Sequence, residues 1–293
     1  MNEQILLLIP GNKLQQKPLQ RVLMTISKNL NSKSPIAFFD SGVGGLTVFS
    51  KVKRLLPNED LVYYGDTLHM PYGEKSKADL LKYSNNIFKF FEDLGCKAVV
   101  MACNTTSSVV YREVVDRYKF ELYPIVQSVS EILSSLPITR LGVFATRATI
   151  ESNAYQNEIT KYNSDMCVFG QFCPSWVHIV ENNLINNEES IKLIKSDLDK
   201  MLDNSPEKIV LGCTHYPFLI DILSKFVEKD LFIDPAEDFA KFIVNDLKTK
   251  QLLNKNTDLG KDSFYVSSNP DGFIGNAKLF YNVTVRPQII TFE

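Results

Sequence analysis

An excess of charge of either sign is missing from this sequence, as are long apolar runs and any regular set of cysteines. The 32 basic and 34 acidic residues leave a net charge of −2 over 293 residues. That balance advertises no polyanionic partner, and nucleic-acid binding is not expected. No apolar stretch approaches the roughly 20 residues of a membrane span. The run ILLLIP at residues 5–10 is short, follows Glu3, and lacks both a basic flank and a small-residue cleavage site, so no secretory signal is expected. Cys96, Cys103, Cys167, Cys173 and Cys213 are odd in number and widely scattered. They do not make a disulfide framework. The expected setting is reducing and cytoplasmic, where a special cysteine is more often chemical than structural.

What is present is a globular composition, with 44% hydrophobic and 23% charged residues, in a chain long enough for two domains or one large α/β domain. Residues 1–34 are rich in Gln, Lys, Asn and Ser and read as an extension, partly helical, without visible chemistry. From Pro35 onward, short apolar runs alternate with segments of helical period. The pattern predicts strands at 36–39, 61–64, 98–102, 122–126, 140–145, 166–170, 208–212 and 231–233, and helices near 44–56, 76–94, 106–118, 147–162, 187–203, 216–227 and 235–248. After Leu253 a strand at 263–267 and a last helical turn at 276–281 are the expected elements. Nearly continuous apolar strands alternating with helices imply parallel sheet covered on both faces. Ligands of such sheets bind beyond the carboxyl ends of the strands, so polar residues just after a strand come first for scrutiny.

Four segments meet that condition. Asp40-Ser41-Gly42-Val43-Gly44-Gly45 follows the first strand. It is neither a dinucleotide fingerprint nor a phosphate loop, and two readings stand: a helix-capping turn, or a site where Asp40 takes an ammonium or orients a catalytic group. Gly65-Asp66-Thr67 leads into Met70-Pro71-Tyr72-Gly73, a tight turn that fixes the Tyr72 ring; His69 beside it reads as a surface histidine. Cys103 is followed by Asn104, Thr105, Thr106, Ser107 and Ser108, a dense hydrogen-bonding lip. A cysteine at a helix N-terminus can have its pKa lowered from about 8.5 toward neutrality, or can be a buried, inert thiol. Gly212-Cys213-Thr214-His215-Tyr216-Pro217 repeats the arrangement, with a histidine two residues on. A metal site is not expected, because no second cysteine or histidine stands near.

KAVVMACNT (97–105) and KIVLGCTH (208–215) echo one another. Two half-sites facing across a cleft would account for the echo, as would chance similarity between parallel strands. Cys96, Cys167 and Cys173 lack such settings and read as packing residues. Trp176 and His178 lie on an expected helix, whose spacing puts Val177 and Glu181 on one face. Two cysteines in equivalent positions fit the removal and return of a proton on opposite faces of one carbon.

DSGVGGLTV, GDTxxxPYG, ACNT and GCTHYPFL, in this order, resemble the glutamate racemases, cofactor-independent enzymes of bacterial cell-wall synthesis. The resemblance covers roughly residues 35–250. It implies two similar α/β domains, 35–128 with 239–293 and then 129–238, with mainly parallel sheets and the active site in the cleft between them. It implies that Cys103 removes the α-proton of D-glutamate and Cys213 that of L-glutamate. Asp40 would assist the first thiol; His215 and Glu181 would assist the second. Asp40, Ser41, Tyr72, Gly73, Asn104, Thr105, Thr214 and His215 are the implied substrate contacts. No metal and no cofactor are implied, and a cytoplasmic homodimer that supplies D-glutamate for peptidoglycan is expected.

Three features depart from the family pattern. Thr106 stands where alanine is usual, residues 1–34 are additional, and the tail after Leu253 is only loosely similar. The rival readings are a racemase of another acidic amino acid such as aspartate, a related decarboxylase needing one thiol, or a regulatory binding protein, since some family members also restrain DNA gyrase.

Overall fold

The computed structural model describes residues 30–292. The ILLLIP run and nearly all of the expected extension lie outside the described residues. The first half of the chain runs β1 (Ile36–Asp40), α1 (Leu46–Leu55), β2 (Leu61–Gly65), α2 (Lys77–Asp93), β3 (Ala98–Met101), α3 (Asn104–Val114), β4 (Glu121–Pro124) and α4 (Ile125–Ser134). Then come β5 (Arg140–Ala145), α5 (Arg147–Glu151), α6 (Ala154–Ile159), β6 (Cys167–Phe172), α7 (Trp176–Glu181), α8 (Glu188–Leu202), β7 (Lys208–Gly212), α9 (Ile220–Leu223) and β8 (Phe232–Ile233). The chain closes with α10 (Ala236–Thr249), β9 (Asp262–Val266), α11 (Pro270–Ala277) and β10 (Gln288–Ile289).

Two sheets result, with orders β10-β9-β2-β1-β3-β4 and β6-β5-β7-β8. Every pairing in both is parallel. Burial explains the composition of the strands. Ile36, Ala37, Phe38 and Phe39 of β1 expose no surface, since β2 and β3 flank the strand and helices cover both faces. Burying each phenylalanine contributes about 1.5–3 kcal/mol. In α1, Leu46, Val48, Phe49 and Val52 form the buried face, and Lys53 and Arg54 sit in the last turn, where cations suit the helix dipole. Ser76 caps α2 by accepting from the Asp79 N–H.

One apolar cluster runs through both halves. Val126, Val129 and Leu133 of α4 and Phe239, Ala240 and Ile243 of α10 belong to the same cluster as Phe38 of β1 and Val143 of β5. Each sheet also has a switch point where successive strands leave to opposite sides: β1 between β2 and β3, and β5 between β6 and β7. Crevices form at such points, at the strand carboxyl ends. Among the described residues, no helix is long and apolar enough to cross a membrane.

The alternation of strand and helix is as expected; several boundaries differ. The run at 122–126 is not one strand, because Pro124 ends β4 and α4 begins at Ile125. The helix expected at 147–162 is broken by Asn153, whose φ of 53° is left-handed. The one expected at 216–227 opens as a 3₁₀ turn, Tyr216–Leu219, around Pro217, and α9 is only four residues long. The tail helix is α11, capped by Asn269 accepting from the Gly272 N–H, rather than a turn at 276–281. Cys167 is exposed on edge strand β6, so it is not a packing residue. His69 is not a free surface histidine: Nδ1 lies 2.8 Å from Asp66, and its ring stacks on Tyr83 at 3.9 Å.

Candidate active site

Between the carboxyl ends of the two sheets lies a cavity of about 80 Å³. Cys103 and Asn104 enter it from the end of β3, Ser41 from β1, Thr146 and Arg147 from β5, and Cys213, Thr214 and His215 from β7. Tyr72, Gly73, Thr105 and Glu181 also line it. The two cysteine loops that echo in the sequence therefore open onto one space. A larger cleft of about 590 Å³ lies between α3 and α5–α6, bordered by Lys75, Arg112, Glu151 and Glu158. It is lined by no cysteine or histidine; Cys103, Cys213 and His215 converge on the smaller cavity.

The second cysteine loop is tightly held. His215 Nδ1 lies 3.8 Å from Cys213 Sγ, and Nε2 lies 3.0 Å from Glu181 Oε1. Thus α7 delivers Glu181 to the far side of the ring. The Thr214 hydroxyl donates to Asp40 Oδ2 at 3.4 Å, joining the two halves. Asp40 itself is fully buried and lies behind the lining, with Oδ1 accepting the Gly42 N–H at 3.0 Å. Close approach is possible because residue 44 is glycine: a Cβ there would sit 2.2 Å from Thr214 Oγ1 and 2.6 Å from the His215 ring. Across the cavity, the Thr105 and Thr146 hydroxyls meet at 2.8 Å, and the Tyr72 hydroxyl donates to Asp66 Oδ2.

A family model described as Asp/Glu/Hydantoin racemase matches residues 44–241. The chain belongs to that family. It is 36% identical over 260 residues to the glutamate racemase of Carboxydothermus hydrogenoformans, covering 88% of this chain and 96% of that one. Its fold superposes on the crystal structure of glutamate racemase from Francisella tularensis in complex with D-glutamate with a TM-score of 0.82, at 31% identity, covering 89% of this chain and 98% of the other. The Thermus thermophilus glutamate racemase structure aligns with a TM-score of 0.78, also at 31% identity, covering 89% of this chain and 98% of that one. The chain is accordingly an isomerase of the racemase type.

Charge in this candidate site is set by burial and by neighbours. Burial pushes the Cys103 thiol up to about 12, and the Asp40 carboxylate pushes the same way; hydrogen bonds from Thr106 offset part of this. Of the two settings open for this cysteine, a thiol lowered by the start of α3 or a buried one, burial has the larger effect, because desolvation outweighs the helix dipole. Asp40 is raised by burial and held back by His215. Burial also opposes a charged His215 ring, but its contacts with Cys213 and Glu181 outweigh that and raise it to about 10. Asp40 is tied electrostatically to both Cys103 and His215.

Sequence reasoning passed over Thr146, Arg147 and Glu74. Thr146 and Arg147 directly follow β5, so the strand-end rule that picked out the cysteines would have found them. Arg147 Nε lies 3.2 Å from Glu74 Oε2, a pair across the cleft that no local pattern reveals. Cys173, read as packing, is buried and also borders the cavity.

Proposed function

We propose that the chain interconverts L- and D-glutamate without a cofactor, by proton transfer between two thiols and the substrate α-carbon. The observation that carries this reading is that Cys103 and Cys213, at equivalent strand ends of two sheets, line one cavity. A cavity of about 80 Å³ is small beside the roughly 300–1,000 Å³ of sites for drug-sized ligands, which favours a small ligand over a nucleotide-sized one.

In the D-to-L direction, the Cys103 thiolate takes the α-proton and the carbanion electrons move into the α-carboxylate. The Cys213 thiol then returns a proton to the opposite face, leaving a thiol at Cys103 and a thiolate at Cys213. The reverse reaction exchanges the roles. Protons reset through the neighbours: Asp40, whose carboxyl is raised by burial, serves Cys103, and His215, held protonated by Glu181 and Cys213, serves Cys213. Ser41, Tyr72, Gly73, Asn104, Thr105, Thr214 and His215 contribute the polar groups that hold the substrate, and donors at the start of α3 meet charge building on the carboxylate. The direction given to each thiol rests on the family resemblance.

The same reading takes the two domains as 35–128 with 239–293 and 129–238, with the site between them. It places the enzyme in the cytoplasm, as a homodimer supplying D-glutamate for peptidoglycan. Five unpaired cysteines suit a reducing compartment.

The test is turnover of each glutamate enantiomer in deuterated water, with aspartate and other amino acids in parallel. Deuterium is expected at the α-position from either enantiomer, without pyridoxal phosphate or metal. Cys103→Ala and Cys213→Ala are each expected to lower racemisation by at least about 10²–10⁴-fold. Full turnover in both variants would falsify the two-thiol mechanism, and turnover of aspartate alone would replace the substrate.

A further inference from the structure

Asn104 follows Cys103 at the first position of α3 and borders the cavity. Only one end of its carboxamide is engaged. The Tyr155 hydroxyl donates to Asn104 Oδ1 at 2.8 Å, while Nδ2 is buried without a hydrogen-bond partner among the described residues. Tyr155 belongs to the other half of the molecule. It sits near the start of α6, just past the left-handed Asn153 that breaks α5 from α6, and is 4% exposed. Its ring also packs beside the end of β7, where a Cβ on Gly212 would lie 3.2 Å from Tyr155 Cε2. One tyrosine thus touches the residue after the first cysteine and the residue before the second.

The two ends of a carboxamide have nearly the same shape and opposite hydrogen-bonding character. A half-turn about the last side-chain bond would present oxygen where nitrogen stood, and oxygen repels a carboxylate. A phenol that donates to the oxygen removes that freedom. It leaves a buried N–H₂ whose lack of a partner is costly until an acceptor arrives. On the proposed reading, that acceptor is a carboxylate oxygen of glutamate.

We infer that Tyr155 is a positioning residue for the racemase reaction: its hydroxyl locks the Asn104 carboxamide with N–H₂ available to the substrate carboxylate. The lock spans both halves, so the donor is correctly set only when the α6 side of the cleft is docked against α3. This inference rests on the glutamate racemase reading.

The experiment is a double-mutant cycle on the full chain, with KM and kcat measured for both glutamate enantiomers. Tyr155→Phe removes one oxygen and is expected to raise KM about tenfold, with a smaller change in kcat. In an Asn104→Ala background the same substitution is expected to change KM by less than about twofold, because nothing remains to be positioned. An unchanged KM in Tyr155→Phe, or the same factor in both backgrounds, overturns the inference and marks Tyr155 as a packing residue. Should Tyr155→Phe not fold, Asn104→Asp keeps the tyrosine contact and replaces N–H₂ by oxygen. It is expected to raise KM by at least about tenfold, and an unchanged KM again overturns the inference. Wild-type protein is assayed first. If it does not racemise glutamate, the substrate reading falls and this inference with it; if it does, the cycle judges Tyr155 alone.

Discussion

A histidine buried among apolar groups sheds its proton, because desolvation penalises the charged ring. His215 is buried yet held protonated up to about 10, by Cys213 at one nitrogen and Glu181 at the other. This has a consequence for stability as well as for proton transfer. The unfolded ring titrates near 6.5 and the folded one near 10, so between these values the native state holds a proton that the unfolded state has lost. Stability from this contact is therefore complete below about pH 6.5 and is lost as pH rises through about 10. We expect the unfolding free energy of the wild type to fall relative to His215→Gln across that window, measured by denaturant titration at successive pH values. Parallel curves for the two proteins would show that the ring is not held in its charged form.

Each of the two echoing segments begins with a lysine at a strand start, and the two lysines are anchored differently. Lys208 leads β7 and pairs with an exposed Asp230 at 2.6 Å. Lys97 stands just before β3, wholly buried, with Glu59 at 2.5 Å and the Ser32 carbonyl at 2.6 Å. Glu59 also accepts the Asn254 N–H at 2.7 Å, so one carboxylate ties the starts of β2 and β3 to the approach to β9. Removing one member of a buried pair strands the other charge. Glu59→Ala is accordingly expected to cost about 3–5 kcal/mol in urea unfolding, while Asp230→Ala, at an exposed pair, costs less than about 1 kcal/mol. Similar losses for both would show that the buried pair is solvated. The strands themselves were legible because parallel strands covered on both faces read as short apolar runs. Helix α4 was not, since Ile125 and Val126 continue the apolar run of β4 and only Pro124 marks the change. At the site, Cys103, Asp40 and His215 stood out as polar residues closing apolar strands, and Glu181 followed from helical spacing. The Tyr155–Asn104 and Arg147–Glu74 contacts cross the cleft, and a contact between distant segments leaves no local period to read.

At the scale of the molecule, the site depends on how closely the two sheets approach, and Gly44 sets that approach. The loop after β1 and the Cys213-Thr214-His215 loop after β7 come so near that a single methyl at residue 44 would overlap the Thr214 hydroxyl and the His215 ring. Neither partner can retreat freely, since Thr214 donates to Asp40 and His215 is fixed by Glu181. The apolar cluster shared by α4, α10 and both sheets holds the two halves together by contacts additional to this one. Gly44→Ala should therefore shift the cysteine loops relative to one another while leaving both sheets folded. The expected cost in stability is that of ordinary overpacking, about 1–3 kcal/mol. The loss in kcat/KM is expected to reach about 10²-fold, because proton transfer tolerates little displacement of its groups. Thermal unfolding and racemisation measured on the same preparation check both halves of this expectation. Activity that falls only in proportion to stability would mean that Gly44 serves packing alone; activity lost from a well-folded variant would place the catalytic fit in the contact between the two halves.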